Sequence, residues 1–142
     1  MADTMTMQFK LKGIELLRTL INQPGLSFSP TEFQFDVSVE YRIDPSQKLI
    51  FVLTTADVRN DNKPEQLAAI SSACIFGLEN FEELVKIKPD NQFEVKDETM
   101  LILVSISLST LRGIMFDQFR GTYLHAAILP VIDPKQFILQ KK

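Results

Sequence analysis

Apolar and polar residues alternate strictly between positions 32 and 43, and this is the clearest pattern in the chain. A period of two places the apolar side chains on one face of a β-strand and the polar side chains on the other. The turn-forming residues Asp44, Pro45 and Ser46 follow, and a second strand-like segment covers residues 48–58. Because a short turn joins the two segments, the pattern predicts an antiparallel hairpin.

Other segments of the N-terminal two thirds are less regular. Residues 66–78 follow a polar break, are rich in small and β-branched residues, and predict a third strand. Residues 7–21 alternate at first and then become mixed, so a strand and an amphipathic helix both fit, and we favour the strand. Two prolines and a glycine predict a loop over residues 24–31. Residues 79–96 are polar and acidic, which predicts a long connection with a helical turn near residues 81–85.

The segment after residue 100 carries an apolar stripe with helical spacing. The stripe consists of Val104, Leu108, Leu111, Met115 and Phe119. Ile102, Ile106 and Phe116 would lie on roughly the opposite side of the same helix. One sheet cannot cover a helix that is apolar on two faces, so we expect self-association or a bound ligand. Residues 100–109 also alternate strictly, so local pattern alone leaves helix and strand open there.

Composition indicates one ordinary globular domain, residues 1–142, with 45% hydrophobic and 23% charged residues. The net charge of −3 and the scattered basic residues disfavour nucleic-acid binding. Cys74 is the only cysteine and the N-terminus lacks the pattern of a secretory signal, so we expect a reducing, cytoplasmic location. Near-apolar runs such as residues 100–104 are far shorter than a membrane span, so we expect no membrane insertion.

No combination of residues with catalytic spacing is found in the sequence. His125 is the only histidine, which argues against a zinc site with nitrogen and sulfur ligands. No serine lies in a nucleophile-elbow motif, and the five glycines are too dispersed to form a phosphate-binding loop. Cys74 lies within the third predicted strand, where a free cysteine usually acts as a small hydrophobe. We therefore expect a protein without cofactor or metal that binds other polypeptides and is not an enzyme.

Four short motifs follow one another in the C-terminal half: residues 73–78 (ACIFGL), 108–113 (LSTLRG), 121–123 (GTY) and 129–133 (LPVID). In order and spacing they resemble the SecB protein-export chaperones. In that family a Gly-Ile-Phe-type strand end precedes a helix start with an aliphatic-Pro-Tyr-x-Arg sequence, a glycine near the helix end, and a Leu-x-Pro-Val-Asn stretch. Arg112, Pro130 and Asp133 are the motif residues here.

The resemblance implies an α+β fold in which a four-stranded antiparallel sheet carries a long helix on one face. It places that helix at about Asp97 to Phe119, which selects the helix for residues 100–109. It also implies a homodimer that pairs into a homotetramer and apolar grooves that hold unfolded polypeptides. The groove residues expected on this basis are Ile70, Ser72, Cys74, Phe76, Leu111, Met115 and Phe116.

The sequence departs from the family pattern at two places. Ser109 and Thr110 replace the Pro-Tyr pair, which we expect to weaken the start of the helix. Ala69 corresponds to an acidic residue with which the family docks the SecA motor, so a SecA partnership is not implied. Two functions remain open: a general holdase chaperone in protein export, and a dedicated interaction module such as an antitoxin-type chaperone or an oligomeric scaffold. An enzyme would need a closed polar pocket around His125.

Overall fold

Four long strands form one antiparallel sheet in the computed structural model, which describes residues 8–23, 33–60, 65–90 and 92–139. The strands are β1 (Phe9–Ile21), β2 (Phe33–Asp44), β3 (Leu49–Asn60) and β4 (Gln66–Leu78). Their order across the sheet is β1-β4-β3-β2, so β1 and β2 form the two edges. The predicted hairpin, the third strand and the preference for a strand in β1 are confirmed. The loop predicted for residues 24–31 lies outside the described residues.

The turn between β2 and β3 is held by the Asp44 carboxylate. It accepts hydrogen bonds from the Ser46 hydroxyl at 2.7 Å and from the Ser46 backbone N–H at 3.1 Å. The hydroxyl bond is the main reason why the pKa of Asp44 lies below its usual value. Lys48 ends the turn with φ of 60°, in the left-handed region that side chains with a Cβ rarely adopt.

The connection between β4 and the long helix contains more regular structure than its sequence predicts. Helix α1 (Phe81–Leu84) confirms the helical turn. Strands β5 (Val85–Ile87) and β6 (Phe93–Val95) then pair as a small antiparallel hairpin, which was not predicted. Strands of three residues are too short for the apolar period to reveal them.

Helix α2 (Asp97–Phe119) confirms the predicted long helix and its bounds. The strand-like alternation within residues 100–109 is overridden by packing, because Leu103 and Ser107, which alternation assigns to the polar face, are both fully buried. The Ser107 hydroxyl donates to the Leu103 carbonyl at 2.8 Å, so its burial leaves no unpaired hydroxyl. The buried stripe from Val104 to Phe119 follows the helical period as predicted.

One prediction about α2 is wrong. Ser109 and Thr110 lie in the middle of the helix, so their replacement of a proline and a tyrosine cannot weaken its start. The helix begins at Asp97, where Asp97 and Glu98 place negative charge in the first turn. Negative charge at this end complements the positive pole of the helix dipole.

The hydrophobic core lies between α2 and the central strands β3 and β4. The N-terminal half of α2 packs near Phe76, and the C-terminal half packs near Ile70. Between these two halves the hydroxyls of Thr54 and Ser72 lie 3.3 Å apart and satisfy each other in the core. A shorter helix, α3 (Lys135–Leu139), follows the end of α2 after an irregular segment and was not predicted.

Among the described residues, α2 alone is long and apolar enough to cross a membrane by length and composition. Of its most apolar window, 44% is buried inside the protein, and core helices of soluble proteins pass the same test. The apolar run at residues 100–104 does not reveal the length of this apolar helix. Ser105, Ser107 and Ser109 interrupt the run, but the helix as a whole remains apolar. The expectation that nothing enters a membrane stays a prediction.

Candidate polypeptide-binding surface

Six of the seven residues predicted to bind polypeptides lie in the core between β4 and α2. Each of the six is at most 1% exposed: Ile70, Ser72, Cys74, Phe76, Leu111 and Met115. Contact between these side chains and a client would require α2 to leave the sheet. Their assignment stays a prediction, and among the seven only Phe116, with 46% of its surface exposed, faces solvent in this conformation.

Phe116 belongs to the side of α2 that faces away from the sheet. The outer face of α2 contains Ile102, Ser105, Ile106, Ser109, Gly113 and Phe116, with the exposed Glu98 at its N-terminal end. Ile102 is 42% exposed, and none of the six residues is charged. The predicted second apolar side of the helix is therefore present, and its small residues let a neighbouring surface approach closely.

The edge strand β1 carries a second exposed apolar surface, the β1 shelf. It consists of Leu11, Ile14, Leu16, Leu17 and Ile21. Ile14 pairs with Cys74 and Leu16 pairs with Ser72, and paired residues of neighbouring strands share a face. Leu11 and Ile21 pair with Phe76 and Ala68 of the same β4 face. These four side chains therefore lie on the side of the sheet that carries α2, beyond the strands that α2 covers. Ile14 is 49% exposed and Leu17, at an irregularity in the pairing, is 48% exposed.

The edge strand β2 borders an open groove of about 280 Å³, the β2 groove. It is lined by Phe35, Val37, Pro130, Val131, Ile132, Gln136 and Phe137. Val131 is 95% exposed, so this apolar side chain of the groove lining is almost entirely in contact with solvent. The volume is below that of most small-molecule pockets and suits one or two side chains of a larger partner.

Two of the motif residues position the groove. The Arg112 guanidinium donates from Nε to the Leu129 carbonyl at 2.8 Å and from Nη2 to the Pro130 carbonyl at 2.9 Å. This fork ties the C-terminal arm, residues 129–139, to α2. The Asp133 carboxylate accepts the backbone N–H of Lys135 at 3.0 Å and thereby caps the start of α3.

Tyr123 fixes the segment after α2 to the far end of β1. Its hydroxyl donates a short hydrogen bond to the Asn22 carbonyl and lies 3.5 Å from the Leu67 carbonyl. Burial, with a smaller contribution from the charge of Glu65, raises the pKa of Tyr123 above its usual value. The hydroxyl is therefore held in its neutral, donating form.

The groups that could do chemistry are dispersed. His125 is exposed with its ring centre 5.8 Å from that of Phe116, and it does not line the β2 groove. Cys74 is buried in the core. Within the described ranges, no cluster of three or more His, Cys, Asp or Glu residues could hold a metal ion.

A comparison with solved structures identifies a protein of similar architecture. The SecB-like chaperone Rv1957 of Mycobacterium tuberculosis, solved in complex with a ChAD peptide from the HigA1 antitoxin Rv1956, superimposes with a TM-score of 0.57. The alignment covers 87% of this chain and 90% of that chain at 15% sequence identity. The fold is SecB-like. No protein-family model matches the sequence, and no curated protein matches it.

The similarity confirms the predicted fold class of a four-stranded antiparallel sheet with a long helix on one face. The similar protein is described as a SecB-like chaperone. Sequence reasoning found the outer face of α2 but missed the β1 shelf and the β2 groove. A signal for the groove was present: residues 128–132 are five consecutive apolar residues, and no regular element contains them.

Proposed function

We propose that the chain is a non-catalytic chaperone that holds unfolded polypeptides on exposed apolar surfaces. The observation that supports this most directly is the concentration of exposed apolar side chains on a SecB-like fold. Ten large hydrophobic residues are exposed among the described residues, and five of them form the β1 shelf. Soluble monomers rarely leave contiguous apolar patches uncovered unless the patches bind something.

The magnitudes favour a long client over a small molecule. Burying one side chain of leucine size contributes about 1.5–3 kcal/mol. Micromolar affinity requires about 8 kcal/mol after the losses of association, so several such side chains must bind together. An extended polypeptide can contact several exposed apolar side chains along the β1 shelf and the β2 groove, which gives loose sequence selectivity without nucleotide or metal.

Self-association is part of the proposal, because Ile102 and Phe116 leave large apolar side chains exposed on the outer face of α2. A homodimer or homotetramer in which two such faces meet would bury Ile102 and Phe116. We expect size-exclusion chromatography with light scattering to show an oligomer that Phe116→Glu dissociates. Ile128→Glu is the matched control, since Ile128 is also exposed but lies outside α2. A monomeric wild type would contradict this part of the proposal.

A second candidate is a chaperone for one dedicated partner. It is favoured by the antitoxin peptide bound to the similar chaperone, and by Ala69, since the resemblance assigns SecA docking to an acidic residue there. A role in export with SecA is for the same reason the less favoured form of the general proposal. Both candidates place the protein in the cytoplasm, where a lone reduced cysteine is stable.

Aggregation of a chemically denatured enzyme, followed by light scattering, tests the holdase proposal. We expect stoichiometric amounts of the wild type to delay aggregation, and Ile14→Glu with Leu17→Glu to weaken the delay. Ile87→Glu is the control, because Ile87 is more exposed than either residue but lies on the β5–β6 hairpin. A wild type that neither delays aggregation nor binds unfolded chains would contradict the general holdase proposal. One dominant partner in a pull-down would favour a chaperone for a dedicated partner.

A further inference from the structure

Three lysines converge at one end of the sheet, on the face that α2 does not cover. Lys10 and Leu49 both pair with Gly77, and paired residues of neighbouring strands share a face. The neighbouring Phe76 is buried in the core toward α2, so Gly77 and its partners face the opposite side. An open pocket of about 210 Å³, the lysine pocket, lies there. Its lining includes Lys10, Lys12, Gln47, Lys48, Gly77 and Glu79.

An irregularity in β1 and the missing side chain of Gly77 shape this pocket. The register of β1 against β4 shifts between Leu11 and Gly13, so Lys12 is the extra residue of a bulge. A Cβ on Gly77 would come within 2.8 Å of Cδ of Lys12. The aliphatic stem of Lys12 therefore crosses the sheet directly over Gly77, and only a glycine leaves room for it there.

Backbone hydrogen bonds hold the rim of the lysine pocket on two sides. The Leu78 N–H donates to the Lys48 carbonyl at 3.0 Å, and the Glu79 N–H donates to the Gln8 carbonyl at 2.9 Å. Lys48 and the start of β1 are thus tied to the end of β4. The backbone positions from which the three lysines extend are therefore in place before any ligand binds.

The lysine pocket is positive, although the chain as a whole carries a net charge of −3. Lys48 lies 3.4 Å from Glu82 in an exposed ion pair. Among the described residues, no carboxylate forms an ion pair with Lys10 or Lys12. Glu79 is an acidic residue of the lining, so three lysines face two carboxylates. Positive charge is left over for a ligand, and it belongs mainly to β1.

The chemistry of the pocket suits several carboxylates on one chain better than a single phosphate group. Phosphate sites are usually built from backbone N–H groups or from the fork of an arginine. Here the central strand β4 forms the floor, and its backbone groups pair with β1 and β3. The cations are lysines, which act as point charges on flexible stems. Lys10 and Lys12 are alternate residues of a strand, about 6.6 Å apart, and this is also the spacing of alternate residues in an extended polypeptide.

We propose that the lysine pocket binds an acidic segment of a partner polypeptide, with glutamate or aspartate at alternate positions of an extended stretch. Two carboxylates of the segment bind Lys10 and Lys12, and a third competes with Glu82 for Lys48. The pocket lies on the opposite face of the sheet from the β1 shelf and the β2 groove. It goes beyond the proposed function, because an acidic partner and an unfolded client would occupy different surfaces.

Fluorescence anisotropy with the full chain and the labelled peptide Gly-Ser-Glu-Val-Glu-Val-Glu-Ser-Gly tests the site. Binding at about 0.1 M salt should be largely lost at about 1 M salt, since the Debye length falls from about 10 Å to about 3 Å. A peptide with glutamine in place of each glutamate should bind about tenfold more weakly, because it loses three charge pairs. Lys10→Gln with Lys12→Gln should weaken the acidic peptide about fivefold, because two charge pairs are lost.

Matched variants separate this site from general attraction between charges. Lys86→Gln with Lys88→Gln removes two exposed lysines of the same spacing at the β5–β6 hairpin and should change affinity by less than about twofold. Gly77→Ala changes no charge, but its Cβ displaces the Lys12 stem, so affinity should fall about two- to threefold. Glu79→Gln removes negative charge from the lining and should raise affinity about twofold.

Each outcome decides for or against the acidic segment. Weaker binding by the Lys10 and Lys12 double variant and by Gly77→Ala, with the hairpin control unchanged, supports it. Equal effects of the two double variants, or equal binding of the acidic and glutamine peptides, overturn it. Inorganic phosphate that displaces the peptide more strongly than chloride of equal ionic strength also overturns it, in favour of a phosphate site. Aggregation delay is measured separately, so failure of the holdase proposal and failure of this one are distinguishable.

Discussion

Replacing Arg112 by alanine should loosen the C-terminal arm from α2 and destabilise the whole domain. The side chain makes two hydrogen bonds, to the Leu129 carbonyl at 2.8 Å and to the Pro130 carbonyl at 2.9 Å. A hydrogen bond to a charged group contributes about 1.5–3 kcal/mol when shielded from water. The bond to Leu129 is partly buried, whereas water can replace the exposed bond to Pro130. We therefore expect a loss of about 2 kcal/mol.

Urea unfolding followed by circular dichroism measures this loss. With a slope of about 2 kcal/mol per molar urea, the midpoint of the Arg112→Ala variant should fall by about 1 M. Arg112→Lys should recover only part of the loss, because an ammonium lacks the planar fork that reaches two carbonyls. Arg120→Ala removes an exposed ion pair with Asp117 at 3.2 Å and should change stability by less than about 1 kcal/mol. Equal midpoints for Arg112→Ala and Arg120→Ala would refute the role of Arg112.

Three further variants test the core, the turn and the C-terminal connection. Leu111→Ala empties a fully buried position and should lower the free energy of unfolding by about 2–5 kcal/mol in urea. Lys48→Gly should raise the thermal midpoint, since relief of the left-handed backbone contributes about 1 kcal/mol and the exposed 3.4 Å ion pair with Glu82 contributes less. Tyr123→Phe loses the hydrogen bond to Asn22 and about 1 kcal/mol below pH 10. Because the folded pKa of Tyr123 is raised, wild-type stability from this group is lost as pH rises through that pKa, and the difference between the two proteins should shrink there.

The helices and strands in which apolar residues recur at a regular spacing could be predicted from the sequence. β2 alternates over its whole length because one face packs toward α2 and the other faces solvent, and its partly buried and exposed residues follow that alternation. Helix α2 carried two competing periods, and the buried Leu103 and Ser107 show why the helical one prevails. Packing on the sheet outweighs local β-propensity. The β5–β6 hairpin and α3 escaped prediction because each is shorter than the window in which a period can be recognised.

The β1 strand shows a different limit of pattern reading. Its sequence becomes mixed after Leu11 because the register shifts near Lys12 and Leu17 change which face successive residues occupy. A strict period of two cannot survive such irregularities. The same irregularities place apolar and charged side chains next to each other along an exposed edge, so the β1 shelf is invisible to a search for one clean apolar face.

The residues predicted to line the groove were placed on the correct face of β4, but the sequence did not show that this face is buried. Ile70, Cys74 and Phe76 were correctly placed on one face of β4, but β4 pairs with β1 on one side and β3 on the other, and α2 covers it. Alternation identifies which face of a strand is apolar and does not identify whether that strand is central or an edge. Strand order decides exposure: the same apolar period that makes β4 the core makes Phe35 and Val37 of β2 the wall of an open groove. Under the proposed function we therefore expect substitutions of Phe35 and Val37 to alter client binding more than stability, and substitutions of Ile70, Cys74 and Phe76 to alter stability more than client binding.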